Sequence, residues 1–261
     1  MIDIGANLTH SAFESDLPQV VARARDAGVA SVVVTGTAVD ESMAAIRVAE
    51  QFDLHATAGV HPHHARDCGP QTIPALRELA KHPRVVAIGE CGLDFNRNYS
   101  PHPDQEKWFV AQLELGLLLE KPLFLHSRDA HPRFYEILKH HNVRNAVAHC
   151  FTGEKAELHA YLELDLYIGI TGWICDERRG GHLVQLVRDI PRERLLLETD
   201  SPYLTPRDMK PQPKARRNEP AFLAHIARAV ARALGRPVEE VAAETSRNAR
   251  TLFRLRELAT Q

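Results

Sequence analysis

Eight short apolar, β-branched runs punctuate the chain, and each is separated from the next by enough residues for a helix. They read IDIGANL, ASVVVTG, HATAGVHP, VVAIGEC, PLFLHS, AVAHC, LYIGITG and LLLETD. Strands joined by helical crossovers run parallel, and eight such units predict a closed (β/α)₈ TIM barrel. The stretches between the runs carry helix punctuation of their own. Residues 16–27 hold Pro18 in the first turn, with Gly28 just beyond the last. Over residues 104–120 the spacing of Trp108, Phe109, Ala111, Leu115 and Leu118 predicts one apolar helical face. The competing architecture is an open doubly wound sheet, but no glycine-rich phosphate loop follows the first run.

At 261 residues the chain suits one barrel, and no linker divides it, so residues 1–261 are expected to form a single domain. The formal charge of −2 excludes a generally basic nucleic-acid binder while leaving room for a local basic patch. The opening MIDIGANLT reads as a strand rather than a leader, and charges interrupt every apolar run. Cys68, Cys91, Cys150 and Cys175 form no CxxC pair, which fits a reducing compartment. The expectation is therefore a cytoplasmic protein without membrane association, and a monomer.

Metal-ligand side chains recur where the runs end. The fourth run leads to Glu90 and then Asp94, the fifth to His126, Arg128 and Asp129, the sixth to His149, and the eighth to Asp200. The third ends in GVHPHHA, with His61, His63 and His64, although Pro62 interrupts any strand alternation there. Active sites of such barrels lie at the carboxyl ends of the strands, so these side chains should converge. Imidazoles and carboxylates together hold Zn²⁺, Mn²⁺ or Mg²⁺ and leave a position for water or substrate. Cys91 and Cys150 directly follow two of the candidate ligands. Alternation along a strand would turn both outward, beneath the helices. His55, His82, His140 and His141 read as ordinary surface residues.

The segments GVHPH, AIGECGLDF, HSRDA, HCFTG, YIGITGW, ETDSPYL and RRNEP, in that order, resemble the TatD family of metal-dependent deoxyribonucleases. The details NLT, NRN and ITGWICDERRG are most similar to the branch that gives the family its name. The resemblance spans nearly the whole chain. It implies a barrel of the metal-dependent hydrolase type and a cytoplasmic exonuclease that degrades DNA from the 3′ end with Mg²⁺, in DNA repair. It also implies that Glu90, His126 and His149 bind metal, with Asp200 as a ligand or the group that orients the attacking water. Glu90 and Asp200 are the catalytic pair on this reading.

One departure stands out. Where many relatives carry His-x-His on the first strand, this chain has Asn7, Leu8 and Thr9. Neutral oxygens are poorer ligands than two imidazoles, so one firmly held ion is expected, Mg²⁺ first and Mn²⁺ or Zn²⁺ as alternatives. Substrate contacts are expected from His61, His63, Asp94 and Arg128, and from a basic group of Arg178, Arg179, Arg207, Lys210, Lys214, Arg216 and Arg217. The last five of these lie in or beside the proline-rich, glycine-free stretch 201–219, read as a stiff loop. Phe95, Phe151, Trp173 and Tyr203 are placed to stack on unpaired bases of single-stranded DNA or RNA with a free 3′ end. The alternatives are a metal-dependent ester or amide hydrolase, such as a D-aminoacyl-tRNA deacylase, and a non-catalytic binding barrel.

Overall fold

A computed structural model describes residues 1–213 and 216–255. Its eight strands are β1 (Ile2–Ala6), β2 (Ser31–Val34), β3 (His55–Ala58), β4 (Val85–Asp94), β5 (Leu123–Arg128), β6 (Ala146–Ala148), β7 (Tyr167–Ile170) and β8 (Leu195–Leu197). All neighbours pair in parallel, in sequence order. The seam between β1 and the end of β8 is laced by Asn7 N donating to Ser201 O at 2.7 Å and Asp200 N donating to Gly5 O at 2.8 Å. The predicted TIM barrel is therefore the observed fold.

The helices are α1 (Leu17–Asp26), α2 (Val39–Phe52), α3 (Thr72–Leu79), α4 (His102–Leu118), α5 (His131–His140), α6 (Lys155–Glu163), the short α7 (Leu183–Leu186), α8 (Leu223–Leu234) and α9 (Val238–Phe253). Among the described residues no helix is long and apolar enough to cross a membrane. Strand alternation sorts the apolar residues into two bodies. One lies between strands and outer helices and includes Val32, Ile88, Cys91, Leu93, Leu123 and Leu125. The other fills the barrel axis with Ile2, Ile4, Val33, Ala87, Phe124, Val147, Tyr167 and Leu196, closed below by Ala249, Leu252 and Phe253 of α9. Burying such side chains stabilises the fold by roughly 1.5–3 kcal/mol each.

The predicted face of α4 is corrected. Leu118 is 64% exposed, and the buried side keeps the predicted Phe109 and Leu115 but adds Gln105, Gln112, Leu113 and Gly116. Two glutamines are buried because they bond strand-end backbone. Gln112 accepts from Val60 N at 2.7 Å and donates to Val60 O at 3.0 Å. Gln105 accepts from Asp94 N at 2.8 Å and donates to Asp94 O at 3.1 Å. A hydropathy pattern does not register a polar side chain that is buried because it is satisfied. His55 is likewise not an ordinary surface residue; it opens β3 and is half-buried.

Candidate metal centre

The strand ends on which the ligands were predicted meet in one cup. A register shift between Gly89 and Cys91 against β5 changes which residues of β4 face the axis. Ala87 points inward and Ile88 outward, yet Cys91 and Leu93 also point outward. The extra residue of the bulge turns Glu90 inward. In β5, Phe124 faces the axis, so His126 two residues later does as well. His149 and Asp200 continue the inward parity of Val147 and Leu196 just past their strands. Cys150 is the exception to the sequence reading. β6 stops at Ala148, Cys150 has a φ of 47°, and its side chain lines the cleft instead of packing beneath the helices.

One carboxylate oxygen anchors the cup. Glu90 Oε1 lies 2.7 Å from His149 Nε2, 3.0 Å from His126 Nδ1 and 3.3 Å from His61 Nε2. His61, expected at the periphery, is buried because it caps the 3₁₀ segment Pro62–Asp67, with its Nδ1 accepting from His63 N. Opposing burial, the charges of His149 and His61 and the hydrogen bonds of the imidazoles hold the Glu90 carboxyl well below the carboxylate range. His149 is also buried, yet Glu90 and Glu198 keep it protonated well above the usual imidazole range. For His61 desolvation wins, and its proton is lost down to about 4.

The next layer aims these groups. Asp94 Oδ2 sits 2.6 Å from His63 Nε2 and 3.8 Å from His126 Nε2, while its Oδ1 accepts from Asn96 N and Arg97 N. Asp94 is thus a buried carboxylate that orients the imidazoles, and it also lines the cleft. Asn7 Nδ2 donates to Asp200 Oδ1 at 3.0 Å, so the residue that replaces a histidine here serves Asp200 directly. Desolvation, reinforced by the Glu90 and Glu198 charges, pushes the Asp200 carboxyl up to about 7.

Glu198 went unnoticed in the sequence, although it is the first polar residue after LLL and the same rule that selected Glu90 points to it. It is fully buried on the axis, its Oε2 lies 3.3 Å from His149 Nδ1, and its Oε1 accepts from Cys150 N. A Cβ on Gly5 or Gly169 would collide with its carboxylate, so two glycines make the room it occupies.

His61, Glu90 and His126 offer ligand atoms within 4.8 Å of one another. Two imidazole nitrogens 3.0 and 3.3 Å from one carboxylate oxygen suit a shared divalent ion. His126 Nε2 is buried without a hydrogen-bond partner, as a nitrogen available to such an ion would be. The donor set therefore fits a divalent metal. His149 adjoins it through Glu90, and Asp200 faces it from the β1–β8 seam.

The cup opens into a cleft of about 1800 Å³ lined by Asn7, Thr9, His63, Arg128, Trp173 and Tyr203, among others. Arg128 donates to Thr152 Oγ1 at 3.1 Å and lies 5.4 Å from the Trp173 ring, with Arg179 at 4.5 Å from the same ring. The rest of the expected basic group is elsewhere. Arg178 is drawn to Asp176 and Arg207 lies 3.8 Å from the same carboxylate; neither lines the cleft. Arg216 is exposed outside it, and Lys214 lies outside the described residues. Arg217 is corrected to a structural clamp, since it grips Asp16 at 2.7 and 2.8 Å and covers Phe13. Of the aromatics, Trp173 and Tyr203 line the cleft, whereas Phe151 is buried against Tyr161 and Phe95 stacks on His102.

A parallel eight-stranded barrel with a histidine–carboxylate cup at its carboxyl end defines a metal-dependent hydrolase fold. The family model described as TatD related DNase matches residues 2–254, and the chain belongs to this family. It is 55% identical to the 3′-5′ ssDNA/RNA exonuclease TatD of Pantoea vagans (strain C9-1) over 259 residues, 98% of this chain and all of that one. It is 54% identical to the protein of the same name from Klebsiella pneumoniae (strain 342), over 97% of both chains. The crystal structure of YJJV, a TatD homologue from Escherichia coli K12, superposes with a TM-score of 0.90 at 27% identity over 98% of each chain.

Proposed function

We propose that this chain is a metal-dependent 3′–5′ exonuclease that hydrolyses phosphodiester bonds of single-stranded DNA, and of RNA, in nucleic-acid repair or turnover. The observation that carries the reading is the cup itself, three imidazoles converging on Glu90 with Asp200 opposite, at the floor of a cleft with room for a nucleic-acid strand. Small-molecule sites usually occupy about 300–1,000 Å³; this cleft has about 1800 Å³. The relatives in Pantoea vagans and Klebsiella pneumoniae carry the exonuclease name, which supports the substrate class.

In this reading His61, Glu90 and His126, joined by His149 once its proton is displaced, would hold one divalent ion such as Mg²⁺, which when bound would supply a Lewis acid for the phosphoryl oxygen and acidify water. Glu198 and Asp94 keep the imidazoles aimed. Asp200 takes the proton of the attacking water, because a carboxyl poised at about 7 both accepts and releases a proton near neutrality. Asn7 fixes the orientation of that carboxylate. Arg128 and Arg179 meet the phosphate beside Trp173, and Tyr203 offers a face to an unpaired base.

The test is to incubate the protein with end-labelled single-stranded DNA, RNA and D-aminoacyl-tRNA, with Mg²⁺, Mn²⁺ or chelator. Metal-dependent release of mononucleotides from the 3′ end is the expected result. Cleavage of the aminoacyl ester alone would overturn the reading in favour of a deacylase.

A further inference from the structure

A second cluster of metal-ligand side chains lies outside the barrel cup. Cys175 ends the 3₁₀ turn that follows β7, Asp208 sits in the loop after β8, and His225 is in the first turn of α8. Their Sγ, carboxylate oxygen and ring nitrogen lie within 4.8 Å of one another. Cys175 is 4% exposed, and His225 Nε2 stands 2.7 Å from Asp208 Oδ1. None of the three lines the cleft. Arg232 Nη2, 3.4 Å from Asp208 Oδ2, leaves Oδ1 on the side of His225.

We propose that Cys175, Asp208 and His225 form a structural site for a zinc-class cation, with water as a fourth ligand. Thiolate with imidazole is the donor pair that selects Zn²⁺ over Mg²⁺, so the site differs in kind from the nitrogen–oxygen cup of the barrel. Three segments distant in sequence supply one ligand each, as expected of a clamp between loops. On binding, the Cys175 thiol, which burial and the Asp208 charge otherwise push up to about 12, releases its proton to solvent as the metal–sulfur bond forms. Asp176, the next residue, anchors Arg178, Arg179 and Arg207, and Arg179 covers Trp173 in the cleft wall. The ion thereby ties the loop after β8 to the segment that carries Trp173.

The experiment is a Co²⁺ titration of the full chain and of a double variant, Glu90→Ala with His126→Ala, in which the barrel cup is disabled. Both should develop a near-ultraviolet thiolate-to-cobalt band, which saturates at one equivalent in the double variant. The band should vanish in Cys175→Ser and require at least tenfold more Co²⁺ in His225→Gln, which leaves the thiol in place. In the double variant, Zn²⁺ should raise the melting temperature, and adding Cys175→Ser should abolish that rise. Absence of the band, or its survival in Cys175→Ser with loss in Cys150→Ser, would overturn the proposal. Neither outcome depends on nuclease activity, so this site can fail while the exonuclease reading stands.

Discussion

The two ends of the barrel are built from the same strands and do opposite things. Below, the axis is filled by Ile2, Val33 and Leu196 and stoppered by Leu252 and Phe253 of α9. Above, a few residues along the same strands, the axis holds Glu90, His149 and Glu198, all less than a tenth exposed. Apolar filling contributes stability at no electrostatic cost. Buried carboxylates and imidazoles contribute only if they compensate one another. The difference teaches that this barrel spends its packing at the bottom in order to hold charge at the top.

The sharpest way to break that division is Glu90→Gln, which keeps shape and removes the anchoring charge. It should cost about 10⁴-fold or more in kcat/KM while circular dichroism shows a folded protein; retained activity would sink the cup as the catalytic centre. Asp200→Asn should follow with a loss of about 10²–10⁴-fold. With the cation bound, wild-type activity should fall with pH along a limb below about 7, the value burial gives the Asp200 carboxyl without the ion, because Asp200 gains the proton it must be without. The variant should lack the limb. At the other end, Phe253→Ala should cost about 3–5 kcal/mol in denaturant unfolding. Below its melting transition it should leave kcat/KM unchanged, and a large catalytic loss there would mean that the ends are coupled.

Glu198→Gln sharpens the comparison within the cup. A partner that only orients a ligand should cost about 10–100-fold in activity or metal affinity, read by isothermal titration. The smallest effect is at Asp3, fully buried in β1, where burial pushes the carboxyl up to about 8. Its folded pKa lies above an unfolded value of about 3.9. The native state then binds more protons than the unfolded one, and this group's contribution should fall as pH rises from about 4 to about 8. Asp3→Asn, which removes the titration and keeps an oxygen that accepts from Thr199, should flatten that slope in urea titrations at several pH values.

Much of this was legible in the chain. Strand runs at helix-spaced intervals specify the barrel, and the rule that its site lies at strand ends brought Glu90, His126, His149 and Asp200 together on the page. What was hidden depended on geometry that a linear pattern does not encode. The bulge in β4 decides that Glu90 faces inward. His61 enters the cup because a 3₁₀ turn begins at Pro62, where the sequence suggested only an interrupted strand. Glu198 was shadowed by its neighbour Asp200, and its place depends on Gly5 and Gly169, far away in sequence. Arg217 looked like phosphate chemistry, but Asp16 and Glu219 claim its guanidinium. A count of charges cannot show which are already paired.

The glutamines of α4 have a consequence for how such a site tolerates change. Gln105 and Gln112 bond both backbone groups of Asp94 and Val60, doing for two strand ends what an adjacent strand would otherwise do. With those groups satisfied from the helix side, the loops beyond β3 and β4 carry only part of the hydrogen bonding at the strand ends, chiefly His63, Asn96 and Arg97 on the Asp94 side chain. Insertions farther along those loops, past Asp67 and past Arg97, can alter what the cleft admits while His61 and Glu90 stay where they are. In evolutionary terms, the helix insulates the chemistry of the barrel from experiments in its rim.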